Sequence, residues 1–165
     1  SDPQAQLIAV RGVCKALVQQ GFDLVLVDCP PTLGTATISA VCAADVVVIP
    51  LGCDPYSLNA LELTTQEIQA ICRNYKMDEP QVLILVSRFD RREKAAREIF
   101  ETLVDEHPEH LVREPIRVST EFNKALATRQ TIFANNRSSP VKLEYDHFVR
   151  RLLNINFTAH LEQGI

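Results

Sequence analysis

Three aspartates in this chain stand just past apolar runs: Asp28 after Leu24 to Val27, Asp54 after Val46 to Pro50, and Asp90 after Val82 to Val86. Short continuous apolar runs read as strands buried on both faces of a parallel sheet. Open α/β sheets place their ligands beyond the carboxyl ends of such strands, so the pattern predicts three carboxylates at one crevice. Asp28 is the best placed of them for work on a phosphate. A strand-end carboxylate holds a magnesium ion directly or through its waters, and the metal neutralises phosphoryl charge. The other reading is that Asp28 only caps the turn made by Pro30 and Pro31, and spacing weighs the two equally. Those prolines remove two backbone donors and fix φ, so Asp28 opens onto a stiff loop.

The elements that must position these groups follow from periodicity and punctuation. Residues 1–22 predict a helix, with Ser1 or Asp2 as cap, Pro3 at its first turn and Gly21 ending it. Further helices are expected over 35–44, 57–75 (capped by Ser57), 91–106, 120–128 and 140–153. Strands are expected at 24–27, 46–50 and 82–86, with a fourth, shorter one near 115–118; residues from 154 onward give no clear signal. Strands alternating with helices imply right-handed βαβ units. The expected fold class is therefore α/β: a three-layer, doubly wound, mostly parallel sheet with helices on both faces. One domain over 1–153 and a tail over 154–165 account for the length.

Composition narrows the class. With 46% apolar and 23% charged residues the chain reads as an ordinary globular protein rather than a disordered one. Its apolar runs are too short to span a bilayer, and a cytoplasmic location is expected. Five cysteines, an odd number without a C-x-x-C pair, suggest reduced thiols rather than a disulfide framework or a zinc site. Charge is unevenly spread: residues 1–112 carry 9 Lys+Arg against 16 Asp+Glu, whereas residues 113–151 carry 8 against 4. A basic carboxyl-terminal third is attached to an acidic body.

Asp23-Leu-Val-Leu-Val-Asp28-Cys-Pro-Pro31-Thr-Leu-Gly34, then Ala43-Ala-Asp45-Val-Val-Val-Ile-Pro50 and Tyr56-Ser-Leu-Asn-Ala-Leu61, resemble the ParA family of deviant-Walker partition ATPases, close relatives of the MinD proteins. The similarity continues through Leu85-Val-Ser-Arg-Phe-Asp90-Arg-Arg92 and Thr131-Ile-Phe133 to the last helix. The resemblance implies part of a P-loop NTPase fold and, for the full-length protein, ATP/ADP and Mg2+ as cofactors. It implies Asp28 as the Walker B acid, catalytic and metal-holding, and Pro30, Pro31 and Gly34 as the second switch loop. Ser87 to Asp90 with Arg92 match the segment near the nucleotide base, and Pro115 to Arg117 fall near the other wall of that pocket. Read from the residues alone, Arg92 is equally a solvated helix charge, and Arg117 a surface residue beside a strand. The family also implies ATP-dependent homodimers, non-specific DNA binding on the nucleoid and a ParB-like centromere-binding partner. Lys124, Arg129, Arg137, Lys142, Arg150 and Arg151 would supply the phosphate contacts, with Arg113 and Arg117 nearby.

The chain departs from the family in one respect. The glycine-rich loop K-G-G-x-G-K-[ST] that holds the phosphates is absent: the five glycines lie at 12, 21, 34, 52 and 164, and none begins such a cluster. Ser1-Asp2-Pro3-Gln4 resembles the D-x-D-P-Q end of the family's second strand, or is a chance match in a helix cap. The chain is therefore expected to be the carboxyl-terminal portion of a longer ParA-like protein, with no ATP hydrolysis of its own and an uncovered edge at Leu24 to Val27. Alternatives are a MinD-like division regulator, a relative of the nitrogenase iron protein, and a non-catalytic ParA-like interaction module. The second lacks the paired cysteines. A membrane-targeting helix of the MinD kind is argued against because Asn154 to Ile165 carry no Lys or Arg. Cys29 as a nucleophile is remote, and the four histidines receive no catalytic role.

Overall fold

The computed structural model describes residues 3–30, 32 and 34–162, with side chains over 8–30, 32 and 34–154. It is an α/β fold whose chain divides into two compact units, Ser1–Val47 with Glu62–Gln81, and Val48–Leu61 with Val82–Ile165.

In the first unit, α1 (Pro3–Gln19) packs on α2 (Thr35–Ala43). The expected caps at Ser1 and Asp2 lie outside the described residues. α1 ends in a motif that needs glycine: Gly21 has φ 94°, Gly21 N–H donates to Val18 O at 2.9 Å and Phe22 N–H to Leu17 O at 3.2 Å. The small residues of α2 let α1 approach closely, and Thr37, Ser39, Ala40, Val41 and Cys42 are all buried. Polar contacts fix the pairing: Val10 N–H reaches Ser39 Oγ at 3.4 Å, and the Arg11 guanidinium donates to Cys42 O. Helix α3 (Ser57–Tyr75) keeps the span read from the sequence and buries Ile68, Ile71 and Cys72 here.

Leu24 to Val27 are a correction to the sequence reading. They form no strand, and Leu24, Leu26 and Val27 are exposed, Leu26 at 77%. An apolar run gives a strand its faces but not its edges, and among the described residues no backbone offers this segment a ladder.

The second unit holds most of the sheet. β1 (Val46–Leu51) and β2 (Gln81–Val86) run parallel, in a register fixed by Gln81 N–H to Asp45 O at 3.0 Å and Ser87 N–H to Leu51 O at 2.8 Å. The expected fourth strand is reduced to two single parallel bridges on the other edge of β2, Ile84 with Leu111 and Phe89 with Arg117. Pro115 has no N–H to give the ladder, and the chain bends at residues 113–114, so pairing stops and resumes. Leu83, Val86, Leu103 and Val112 are fully buried, and the rings of Phe89 and Phe100 lie 5.2 Å apart. Such burial of large apolar side chains is the main stabilising term, about 1.5–3 kcal/mol for each.

Three helices complete this unit: α4 (Lys94–Glu106), α5 (Glu121–Ala127) and α6 (Pro140–Glu162). α4 starts later than expected because residues 91–93 form a turn, Glu93 N–H donating to Asp90 O at 3.1 Å. α6 runs past the expected end at Leu153 to Glu162. Once a helix is nucleated each further residue costs little, so residues without a strong signal extend it. No helix among the described residues is long and apolar enough to cross a membrane.

Candidate functional site

Because β1 and β2 are parallel, the loops that follow them leave the same end of the sheet. The loop after β1 spends its aspartate on the chain itself. Asp54 Oδ1 accepts from Tyr56 N–H at 2.9 Å and Oδ2 accepts from the Ser57 hydroxyl at 2.7 Å, closing the start of α3. These bonds, Ser57 first, hold the Asp54 carboxyl below the ordinary carboxylate value. Gly52 keeps the turn open: a Cβ there would stand 3.1 Å from Asp54 Oδ2.

The loop after β2 carries more free chemistry. Ser87 extends the ladder, Arg88 takes the left-handed conformation at φ 56°, and Phe89 turns into the core. Asp90 then accepts four hydrogen bonds from Arg92, one of them from Nε to Oδ2 at 3.2 Å. Oδ1 accepts from Arg92 N–H at 3.0 Å and from Nε at 2.9 Å, and Oδ2 accepts from Nη2 at 2.6 Å. The guanidinium hydrogen bonds hold Asp90 down to about 2. The Arg92 side chain is 88% exposed and that of Asp90 20%, so the guanidinium faces solvent while the carboxylate is partly covered.

Beside this loop runs the segment 115–118. Ile116 N–H donates to Val86 O at 2.8 Å, Phe89 N–H to Ile116 O at 3.0 Å, and Val118 N–H to Phe89 O at 3.2 Å. The stretches Ser87 to Arg92 and Pro115 to Arg117, separate in sequence, are thereby stitched together. Pro115 is buried, and Arg117 is held by Glu144 of α6. Glu144 went unnoticed in the sequence; its signal is an acid on the inward stripe of α6, three residues after the buried Val141.

Asp28 belongs to the first unit, where it and Pro30 lie exposed in a segment that is neither helix nor strand. Pro31 lies outside the described residues. No cluster of three or more His, Cys, Asp or Glu suited to a metal is found among the described residues. A lone carboxylate fits magnesium, which keeps most of its waters and takes other ligands from substrate phosphates.

The six cations read as DNA contacts fall into two groups. Lys142 is buried, with its ammonium on Asn135 O, Asn135 Oδ1 and Arg137 O at 2.9, 2.8 and 2.6 Å. Arg151 donates to Leu111 O at 2.8 Å and Glu109 O at 3.1 Å, and Arg150 pairs with Asp146 at 2.7 Å. These three are engaged within the chain. Lys124, Arg129 and Arg137 are exposed on α5 and the loop that follows it.

The model of the family described as an AAA domain matches residues 8–79. The chain is 38% identical over 80 residues to the chromosome partitioning protein ParA of Myxococcus xanthus, an alignment covering 48% of this chain and 28% of that protein. It is 30% identical over 122 residues to the cell division protein PomZ of the same organism, covering 74% of this chain and 38% of PomZ. To the sporulation initiation inhibitor protein Soj of Bacillus subtilis it is 32% identical over 84 residues, covering 51% of this chain and 33% of Soj. In fold it is similar, with a TM-score of 0.63 at 17% identity, to a Borrelia burgdorferi structure described as a plasmid partition protein bound to AMPPNP, over 86% of this chain and 53% of that one. The chain thus spans about a third of the length of these curated relatives. The motifs after Asp23 and these likenesses agree, and the chain is similar to the ParA family of P-loop ATPases in sequence and to the Borrelia structure in its α/β fold.

Proposed function

We propose that this chain is the carboxyl-terminal portion of a ParA-like ATPase serving plasmid or chromosome partitioning in the cytoplasm, on the nucleoid. The observation that carries the reading is the stitching of Ser87 to Arg92 against Pro115 to Arg117 at the end of β2. In this proposal those segments, with Ser87, Asp90, Arg92, Pro115 and Arg117, face the base of ATP or ADP. Asp28 holds magnesium through its waters, and Pro30, Pro31 and Gly34 form the loop that senses the terminal phosphate. The phosphate cradle comes from elsewhere in the full-length protein, which acts as an ATP-bound homodimer with a ParB-like partner. Lys124, Arg129 and Arg137 supply the contacts to DNA phosphates, and affinity falls steeply with salt if they do.

The test is nuclear magnetic resonance of the 165-residue chain titrated with ADP and, separately, GDP. Shifts confined to the amides of 87–92 and 116–118, larger for ADP, support the reading; none at millimolar nucleotide overturns the base pocket. The chain alone is expected to hydrolyse no ATP. Magnesium-dependent turnover abolished by Asp28→Ala would overturn that expectation. A division-site role of the MinD kind is the second reading, favoured by the match to the cell division protein PomZ, which covers 74% of this chain.

A further inference from the structure

Lys142 lies on the first turn of α6, and only 7% of it is exposed. A buried ammonium is costly unless every donor is used. Lysine has three donors, and this one meets three oxygens: Asn135 O at 2.9 Å, Asn135 Oδ1 at 2.8 Å and Arg137 O at 2.6 Å. The same Asn135 Oδ1 also accepts from Arg137 N–H at 3.1 Å, so one amide oxygen joins the ammonium to the backbone of Arg137. A second tie holds the end of the loop, where the Ser139 hydroxyl donates to Glu121 Oε2 of α5 at 3.0 Å. The loop 128–139 is thus fastened from inside while Arg129 and Arg137 remain exposed on it.

We infer that Lys142 is a positioning residue, an internal cation that folds residues 135–137 around itself and sets Arg137 for contact with an anionic partner. Its own charge makes no contact with that partner, since no donor is left over. The identification of the partner as DNA rests on the function proposed above, whereas the clamp does not. Arginine cannot replace it. A planar guanidinium spreads its donors in a fork and does not converge three of them on one small ring of oxygens.

Two measurements separate the clamp from the DNA reading. Amide hydrogen exchange of the DNA-free chain should show Arg137 N–H protected in the wild type, and exchanging at least about tenfold faster in both Lys142→Met and Lys142→Arg. Equal exchange in all three overturns the inference. Should the variants fail to fold, the wild type still decides. A Lys142 ammonium cross-peak with slow solvent exchange at neutral pH supports the clamp, and a rapidly exchanging one defeats it. Binding to a non-specific duplex across a salt series then reports on the partner. Both variants should bind several-fold more weakly, with the salt slope changed by less than the roughly 0.9 expected for each lost phosphate contact. A slope reduced by that full unit in Lys142→Met, with Lys142→Arg binding as wild type, would make Lys142 a direct contact and overturn the inference. Absence of wild-type binding would defeat the DNA reading while leaving the exchange result to judge Lys142.

Discussion

Glu144 holds Arg117 at two places at once: Oε2 accepts the Arg117 backbone N–H at 2.9 Å, and Oε1 accepts Nε at 2.6 Å. Helix α6 is thereby tied to the segment that flanks β2. The carboxylate is nearly buried, at 11% side-chain exposure, while the guanidinium is at 41%, so the two halves of the pair are unequal. Removing the acid leaves a buried backbone donor and a half-buried cation without their acceptor. Glu144→Ala should cost about 2 kcal/mol in urea denaturation. Arg117→Ala should cost less, because Glu144 then keeps its bond to the backbone. Equal losses would show that the guanidinium alone matters.

Asp90 supplies the pH dependence of the site. Its carboxyl lies at about 2 in the folded chain against an ordinary 3.8, chiefly through the guanidinium hydrogen bonds of Arg92. A depressed folded value means that the unfolded chain takes up the proton first. The pair therefore contributes fully above about pH 4, and its contribution is lost as pH falls from there through about 2. The Arg92 side chain lies in solvent while that of Asp90 is 20% exposed, so water screens the pair and the effect is local rather than a large share of stability. Carboxyl carbon resonances should show Asp90 titrating with a midpoint near 2, and Arg92→Ala should return it toward 3.8. An unchanged midpoint in the variant would assign the shift to another cause.

What the sequence disclosed and what it hid divide along physical lines. α3 was legible from Ser57 to Tyr75 because a cap and an apolar stripe are both local signals. β2 was legible because a β-branched and leucine run with turn residues on either side has few other uses. Leu24 to Val27 carry the same local signal, yet a strand needs a neighbour, and a neighbour is not encoded in the run itself. The basic third misled in another way. Composition counts Lys142 and Arg151 as surface charge, whereas both donate to backbone oxygens. Nothing in the spacing of a lysine announces that three oxygens will close around it. The candidate segments were proposed from motif order, while Glu144 and Asn135, which hold Arg117 and Lys142, emerged only from the contacts.

The exposed run after α1 yields a prediction about association. Phe22, Leu24, Leu26 and Val27 are all exposed, and the backbone between them has no ladder partner among the described residues. Exposed apolar side chains on a backbone without a ladder are a template for pairing with a second copy. Leu26 is the most open of the four at 77%, so changing it removes little burial. Leu26→Lys should alter denaturation of the dilute chain by no more than about 0.5 kcal/mol. Concentration-dependent light scattering should nevertheless fall, because a charge at that position opposes edge pairing between copies. A loss of about 2 kcal/mol or more in dilute solution would instead mean that Leu26 is covered within one chain. The segment would then be a strand whose partner the chain itself supplies, as its apolar run suggested.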